Sequence, residues 1–185
     1  PHINMALKNV NTLLQLTTNL INFERIDVYS STLYVSEYEL NTYMNDVCAT
    51  FRKYAEMKHV RFVYESNFDY LSVWFDSDKM GSILKNILSN ALKYTPEDGS
   101  VCIYASEEGN SWSIEVKDTG IGIPKESIKK IWDRFYKSDL SRGKDKKGTG
   151  LGLAIVKEII QAHGENIDVI STQGVGSEFI FTLPK

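Results

Sequence analysis

From Ile3 to Ile26 the apolar positions fall in staggered series seven residues apart: Ile3 and Val10; Ala6, Leu13 and Leu20; Leu7, Leu14 and Ile21. The Val10 series breaks at Thr17. A seven-residue repeat of this kind is the seam of a helix that packs lengthwise on other helices. Alone, such a helix would expose its stripe to water, so residues 1–27 predict a coiled-coil-like helix with a partner helix outside this chain. The alternative is a helix folded back onto the domain that follows. The hydroxyl-rich stretch DVYSSTLYVS separates the two and marks residues 28–36 as a linker.

Beyond the linker, residues 37–185 read as an α+β domain. Helical spacing runs from Glu37 to Lys58, through Leu40, Tyr43, Met44, Val47, Phe51, Tyr54 and Ala55. Two strands, Val60 to Glu65 and Leu71 to Phe75, precede a helix from about Ser77 to Tyr94, with Asp76 placed to cap its start and Pro96 to stop it. VCIYASEE and SWSIEVKD flank Gly109-Asn110 as a hairpin. A glycine turn, a short helix from Ile128 to Phe135, a charged loop and a helix from about Leu151 to Ala162 follow, and IDVISTQGVGSEFIFTLP forms a last hairpin. Strands and helices are grouped rather than alternating, which predicts an antiparallel-rich sheet with helices layered on one face.

Charge narrows the partners. The net charge is -3, with 21 basic and 24 acidic residues interspersed, so no overall field favours nucleic acid or an anionic membrane, and phosphate recognition has to be local. Cys48 and Cys102 stand in unrelated segments without metal or disulfide spacing. Reduced thiols and a cytoplasmic location are the expectation. No stretch approaches the ~20 apolar residues of a membrane span, and a chain opening at Pro1 looks like an excised piece.

Four features carry candidate chemistry. Asn86 and Asn90 stand four apart on one helix, with Lys93 and Tyr94 completing a polar face. Their amide oxygens are hard, neutral ligands suited to Mg2+, although a solvated helix face would read the same way. DTGIGIP, Asp118 to Pro124, follows a strand. Its glycines let backbone approach a flat ligand, and its aspartate can accept a hydrogen bond from an exocyclic amine; a tight turn with a structural aspartate is the alternative. GTGLGLAIV, Gly148 to Val156, runs three alternate glycines into a helix, whose N-terminus offers N–H groups to an anion. It does not open from a strand of a βαβ unit, which weakens a dinucleotide-fold reading. Between them, Lys137, Arg142, Lys144, Lys146 and Lys147 lie in a loop that is either a solvated surface segment or a lid over phosphates.

Taken in order, NILSNALKYTP, DTGIGIP, IWDRFYK and GTGLGLAIV resemble the N box, first glycine box, F box and second glycine box of the sensor histidine kinases of two-component systems. The resemblance covers about Ser36 to Lys185, and residues 1–27 resemble the second helix of the family's dimerisation and phosphotransfer domain. It implies a Bergerat-type two-layer α/β sandwich and a site for ATP and Mg2+. On that pattern Asn86 and Asn90 hold Mg2+, Lys93 contacts phosphate, Tyr94 lines the nucleotide pocket and Asp118 reads the adenine amine. Gly120, Gly122 and Ile123 shape the adenine end. Gly148, Thr149, Gly150, Leu151 and Gly152 hinge a lid and bring a helix N-terminus to the phosphates. Lys137 stands where the family often has arginine, and Trp132 and Phe135 pack the lid. The implied partners are a second copy, through dimerisation helices, and a response-regulator receiver domain, with no nucleic acid and no membrane insertion by this chain.

Two departures from the family pattern stand out. His163-Gly164 is followed by Glu165 rather than a second glycine, which bears on the turn there. No phosphoacceptor motif is present: His2 lacks an acidic neighbour, and His59 and His163 end helices, where imidazole suits the dipole. The acceptor histidine is therefore expected on an upstream helix. The alternatives are a stand-alone ATPase like those of chaperones and topoisomerases, which carry a glutamate base where Asn86 stands, and a nucleotide-binding module without catalysis.

Overall fold

The computed structural model describes residues 32–138 and 148–185. The helix expected over residues 1–27, most of the linker, and Arg142, Lys144, Lys146 and Lys147 lie outside the described residues.

The chain opens with β1 (Ser36–Glu39) and α1 (Leu40–Met57), followed by β2 (Arg61–Ser66), β3 (Ser72–Phe75) and α2 (Ser77–Tyr94). Next come β4 (Ser100–Glu108), β5 (Ser111–Asp118), α3 (Gly152–Ala162), β6 (Ile167–Thr172) and β7 (Gly176–Pro184). Five strands form one sheet in the order β2-β4-β5-β7-β6. Only the β2–β4 pair is parallel. The α+β expectation and the mostly antiparallel sheet are both met.

α2 shows how local sequence sets an element. Asp76 Oδ1 accepts from the backbone N–H of Asp78 and Lys79, at 3.2 and 3.1 Å, satisfying two of the first-turn donors. At the other end Thr95 leaves the helical region one residue before Pro96, as a residue preceding proline must. Between these stops Met80, Ile83, Leu84, Ile87, Leu88, Ala91 and Leu92 are buried. They pack over inward-facing residues of the sheet, among them Val101, Ile103, Ile114, Val116, Phe179 and Phe181. The opposite, polar face of α2 is left for the site.

Two expectations need correction. Residues 37–39 do not begin a helix; they belong to β1, which pairs antiparallel with β3, Tyr38 opposite Val73. The reason is local. Glu39 is the N-cap of α1, its carboxylate accepting from Asn41 and Thr42 N–H at 3.1 and 2.6 Å. Tyr38 instead stacks on Phe75 with ring centroids 4.8 Å apart. The second correction concerns Ile128 to Phe135, which forms successive turns rather than a helix. Ile131 N–H bonds Ser127 C=O at 2.9 Å, but Asp133 N–H turns to Lys130, and Phe135 takes φ 64° with its N–H on Gly150 C=O at 3.0 Å. A left-handed residue cannot continue a right-handed helix.

The final turn of α3 is regular despite Glu165. Gly164, at φ 77°, supplies the left-handed residue that ends the helix. Glu165 N–H returns to Ile160 C=O at 3.2 Å, and its carboxylate accepts from Thr182 Oγ1 at 3.3 Å.

Candidate nucleotide site

A cavity of about 250 Å3 opens between the polar face of α2, the loop after β5 and the start of α3. Asn86, Asn90, Lys93, Tyr94, Asp118, Gly122, Ile123, Lys137, Gly148, Thr149, Gly150 and Gly152 all line it. Residues expected from four separate stretches of sequence thus line one space.

Asp118 closes the sheet side. It ends β5, is 7% exposed, and its Oδ1 accepts from Gly120 N–H at 2.8 Å and Ser177 N–H at 3.3 Å. Both partners are backbone, so the carboxylate is held in one orientation. Oδ2 has no hydrogen bond among the described residues. Burial raises the carboxyl's pKa from its ordinary value, against the lowering effect of those two N–H groups.

The loop beyond Asp118 is pressed against the last hairpin. Gly122 has φ 67°, and a Cβ there would lie 2.0 Å from Thr172 C=O, so no side chain fits. Ile121 C=O accepts from Gly174 N–H at 2.8 Å, while Ile123 N–H donates to Ser171 Oγ at 2.8 Å. Gly120 does not line the cavity; it packs behind Asp118, where a Cβ would meet Oδ1 at 2.7 Å.

On the helix side, Asn86 Nδ2 donates to Ser82 C=O at 2.8 Å. That bond fixes the amide and leaves Oδ1 as its acceptor atom. Asn90, one turn on, makes no side-chain hydrogen bond among the described residues. Lys93 Nζ lies 5.4 Å from the Tyr94 ring centroid, within cation–π range. α3 approaches so closely that a Cβ on Gly152 would stand 2.7 Å from Asn86 Oδ1. Leu151, buried and outside the cavity lining, is the N-cap of α3 and provides no side-chain cap. The first-turn N–H groups and positive dipole end of α3 are therefore open to an anion.

Sequence reasoning missed several lining residues: Ala91, Ile121, Ile131, Tyr136, Ser138, Leu153, Ser177 and Phe179. Ala91, Ile121, Ile131, Tyr136 and Leu153 stand within the recognised motifs but were given no role at the site. Ser177 and Phe179 lie on β7, about sixty residues from Asp118, where only strand alternation was visible. Trp132 is half-buried, meets Phe179 edge-on at 6.0 Å and packs against the core; Phe135 is exposed. Of the histidines, His163 Nδ1 bonds Ile159 C=O at 2.8 Å and His59 sits just past the α1 C-cap at φ 53°. Both end helices as expected, and neither lines the cavity.

The chemistry of this cavity is that of an anion-bearing, flat ligand: one buried acceptor, apolar walls, a pair of amide oxygens and a helix N-terminus. The comparisons agree with it. The family described as histidine kinase-, DNA gyrase B-, and HSP90-like ATPase matches residues 75–185. Sensor histidine kinase WalK of Bacillus subtilis is 49% identical over 129 residues, which is 69% of this chain and 21% of WalK. Full-length ShkA in complex with AMPPNP has a TM-score of 0.81 at 27% identity, covering 93% of this chain and 35% of that one. Histidine kinase ThkA in complex with response regulator protein TrrA has a TM-score of 0.76 at 25% identity, covering 100% of this chain and 50% of that one. The chain spans between 21% and 31% of the length of the curated relatives it matches. By the span of the family match and the kind of its relatives, the chain belongs to the histidine kinase-, DNA gyrase B-, and HSP90-like ATPase family, as a catalytic ATP-binding domain of the sensor histidine kinase type.

Proposed function

We propose that this domain holds ATP with Mg2+ in the α2–α3 cavity and presents the γ-phosphoryl to a histidine on an upstream helix, for relay to a response-regulator aspartate. The observation that carries the reading is Asp118: a buried carboxylate with one oxygen tied to two backbone N–H groups and the other left to accept from an exocyclic amine. An acceptor there suits adenine and mismatches guanine, whose carbonyl would face a second acceptor.

The remaining residues divide the work by chemistry. Ile121, Ile123, Ile131, Leu153 and Phe179 supply apolar walls that exclude water from the base. Lys93 and the open N-terminus of α3 balance phosphate charge, with Lys137 at the cavity edge. Asn86 and Asn90 fit Mg2+: two neutral oxygen donors one turn apart match an ion that keeps waters beside substrate phosphates. When bound, that ion neutralises charge on the transferring group. Catalysis by this domain is thus positioning and electrostatics, and the nucleophile comes from elsewhere. Asn86 also bears on the ATPase alternative, because an amide cannot take a proton from water, so fast hydrolysis is disfavoured. The complex of ThkA with TrrA supports a response-regulator partner. We place the domain in the cytoplasmic part of a dimeric sensor, joined through the segment 1–27 for which the sequence predicts a helix; no described helix is long and apolar enough to cross a membrane.

Calorimetric titration tests the binding half. ATP with Mg2+ should fill one site, and omission of Mg2+ should weaken it at least roughly tenfold, in line with loss of charge-assisted contacts. Asn90→Ala should abolish that metal dependence. Metal-independent binding in the wild type would remove the asparagine pair from the account.

A further inference from the structure

Ser171 lies on β6, outside the cavity, yet its hydroxyl is joined to three groups that bracket the site. It accepts from Ile123 N–H at 2.8 Å, donates to Gly176 C=O at 2.8 Å, and lies 2.9 Å from Ser177 Oγ. A hydroxyl has one proton and two acceptor positions. With its proton on Gly176 C=O, Ser171 accepts from both Ile123 N–H and Ser177 O–H, and all its capacity is used. One side of this junction is the far end of the DTGIGIP loop. The other is the entry to β7, whose Ser177 N–H holds Asp118 Oδ1.

We infer that Ser171 is a positioning residue for base selection: through Ser177 and Ile123 it fixes where the acceptor oxygen of Asp118 stands relative to the cavity wall. The inference rests on the reading of Asp118 as the group that meets the base amine. The geometry gives Ser171 this role because the orientation of Asp118 depends on two backbone donors of unequal kind. Gly120 N–H is two residues away and moves with Asp118 itself. Ser177 N–H comes from another strand and is the external reference. At 3.3 Å it is also the longer of the two bonds, so its direction depends on how the β7 entry is held. Gly174 N–H on Ile121 C=O and the contact of Gly122 with Thr172 keep the same hairpin against the loop but reach neither Ser177 nor Ile123 N–H. Ser171 alone among these ties acts on both.

Removing the hydroxyl therefore leaves the cavity lining chemically intact while loosening the direction in which Oδ2 is offered. Discrimination between a base with an amine and one with a carbonyl at that place should suffer more than overall affinity, because the walls and the phosphate end are untouched. The experiment measures affinities for ATP and for inosine triphosphate, which carries a carbonyl where adenine has its amine, by titration of the whole chain. Wild type should prefer ATP. Ser171→Ala should shrink the ATP-to-inosine-triphosphate ratio roughly three- to tenfold, the size of one lost hydrogen bond, and Ser171→Thr, which keeps the hydroxyl, should restore it. A packing role alone would weaken both nucleotides equally. If Asp118→Asn collapses the ratio while folded Ser171→Ala leaves it unchanged, the inference is overturned. If Asp118→Asn also leaves the ratio unchanged, the reading of Asp118 itself fails. Should Ser171→Ala not fold, Ser171→Cys, close in size with a weaker hydrogen-bonding group, is read by the same ratio with the same two outcomes.

Discussion

At the scale of single residues the account turns on how Asp118 is held. In Asp118→Asn the amide oxygen must take the place of Oδ1, since two backbone N–H groups point at it. The amide nitrogen is then the atom left over, and it would meet an adenine amine donor to donor. ATP affinity should fall by roughly ten- to a hundredfold, the range for a hydrogen bond to a charged group, and the preference for adenine over guanine should relax. Stability should move the other way. Burial holds the folded-state pKa of Asp118 above its unfolded value, so the folded chain binds that proton more tightly. The cost of the buried carboxylate is therefore present above the folded pKa and relieved as pH falls through it. Without ligand, Asp118→Asn should match or exceed wild type in melting temperature near neutral pH. ATP affinity of the wild type should decline on acidification at a higher pH than an unperturbed aspartate would give, because the proton would occupy Oδ2. Titrations across pH check both signs; a mutant that melts lower and binds equally would contradict them. Asp118 itself was legible in the sequence because a carboxylate next to glycines after a strand is a local pattern. Ser171 and Ser177 were not, since hydrogen bonds between strands far apart in sequence leave no periodic trace.

At the scale of elements, the glycine loop and the last hairpin are fitted to one another at Gly122. Gly109 offers an internal control: both glycines have positive φ, but a Cβ on Gly109 meets nothing within 4 Å, whereas one on Gly122 would stand 2.0 Å from backbone oxygen. Gly109→Ala should cost only about 1 kcal/mol of backbone strain. Gly122→Ala should cost about 2–4 kcal/mol, strain and displacement of a backbone group together, and weaken ATP binding as the loop shifts. Equal melting temperatures for the two variants would show that the contact at Gly122 yields. Elements were legible where both their ends carry local stops. α2 was read close to its limits because Asp76 and Pro96 act within the chain itself. β1 was misread because its residues run straight into the helical period that starts at Leu40, and only the pairing with β3 marks the boundary. The turns at 128–135 were misread for a similar reason: the hydrogen bond from Phe135 to Gly150 is made across the site.

At the scale of the whole molecule, the sheet brings β5 and β7 side by side so that Asp118 and Ser177 meet. The helix layer sets α2 against α3 so that Asn86 faces a helix N-terminus. The family order of motifs was readable in the chain, but this convergence follows from packing alone. Among the described residues, an amide rather than a carboxylate stands at Asn86, and neither His59 nor His163 lines the cavity. The most direct test is phosphoryl transfer from γ-labelled ATP with Mg2+. Two chains are compared: this one, and a longer one extended upstream by a helix that bears a histidine beside an acidic residue. The account predicts that this chain stays nearly unlabelled and hydrolyses ATP slowly, that the extended chain acquires an acid-labile label, and that Asn90→Ala in the extended chain removes it. Strong acid-labile labelling of this chain that disappears in His2→Ala would contradict the account and make His2 the acceptor.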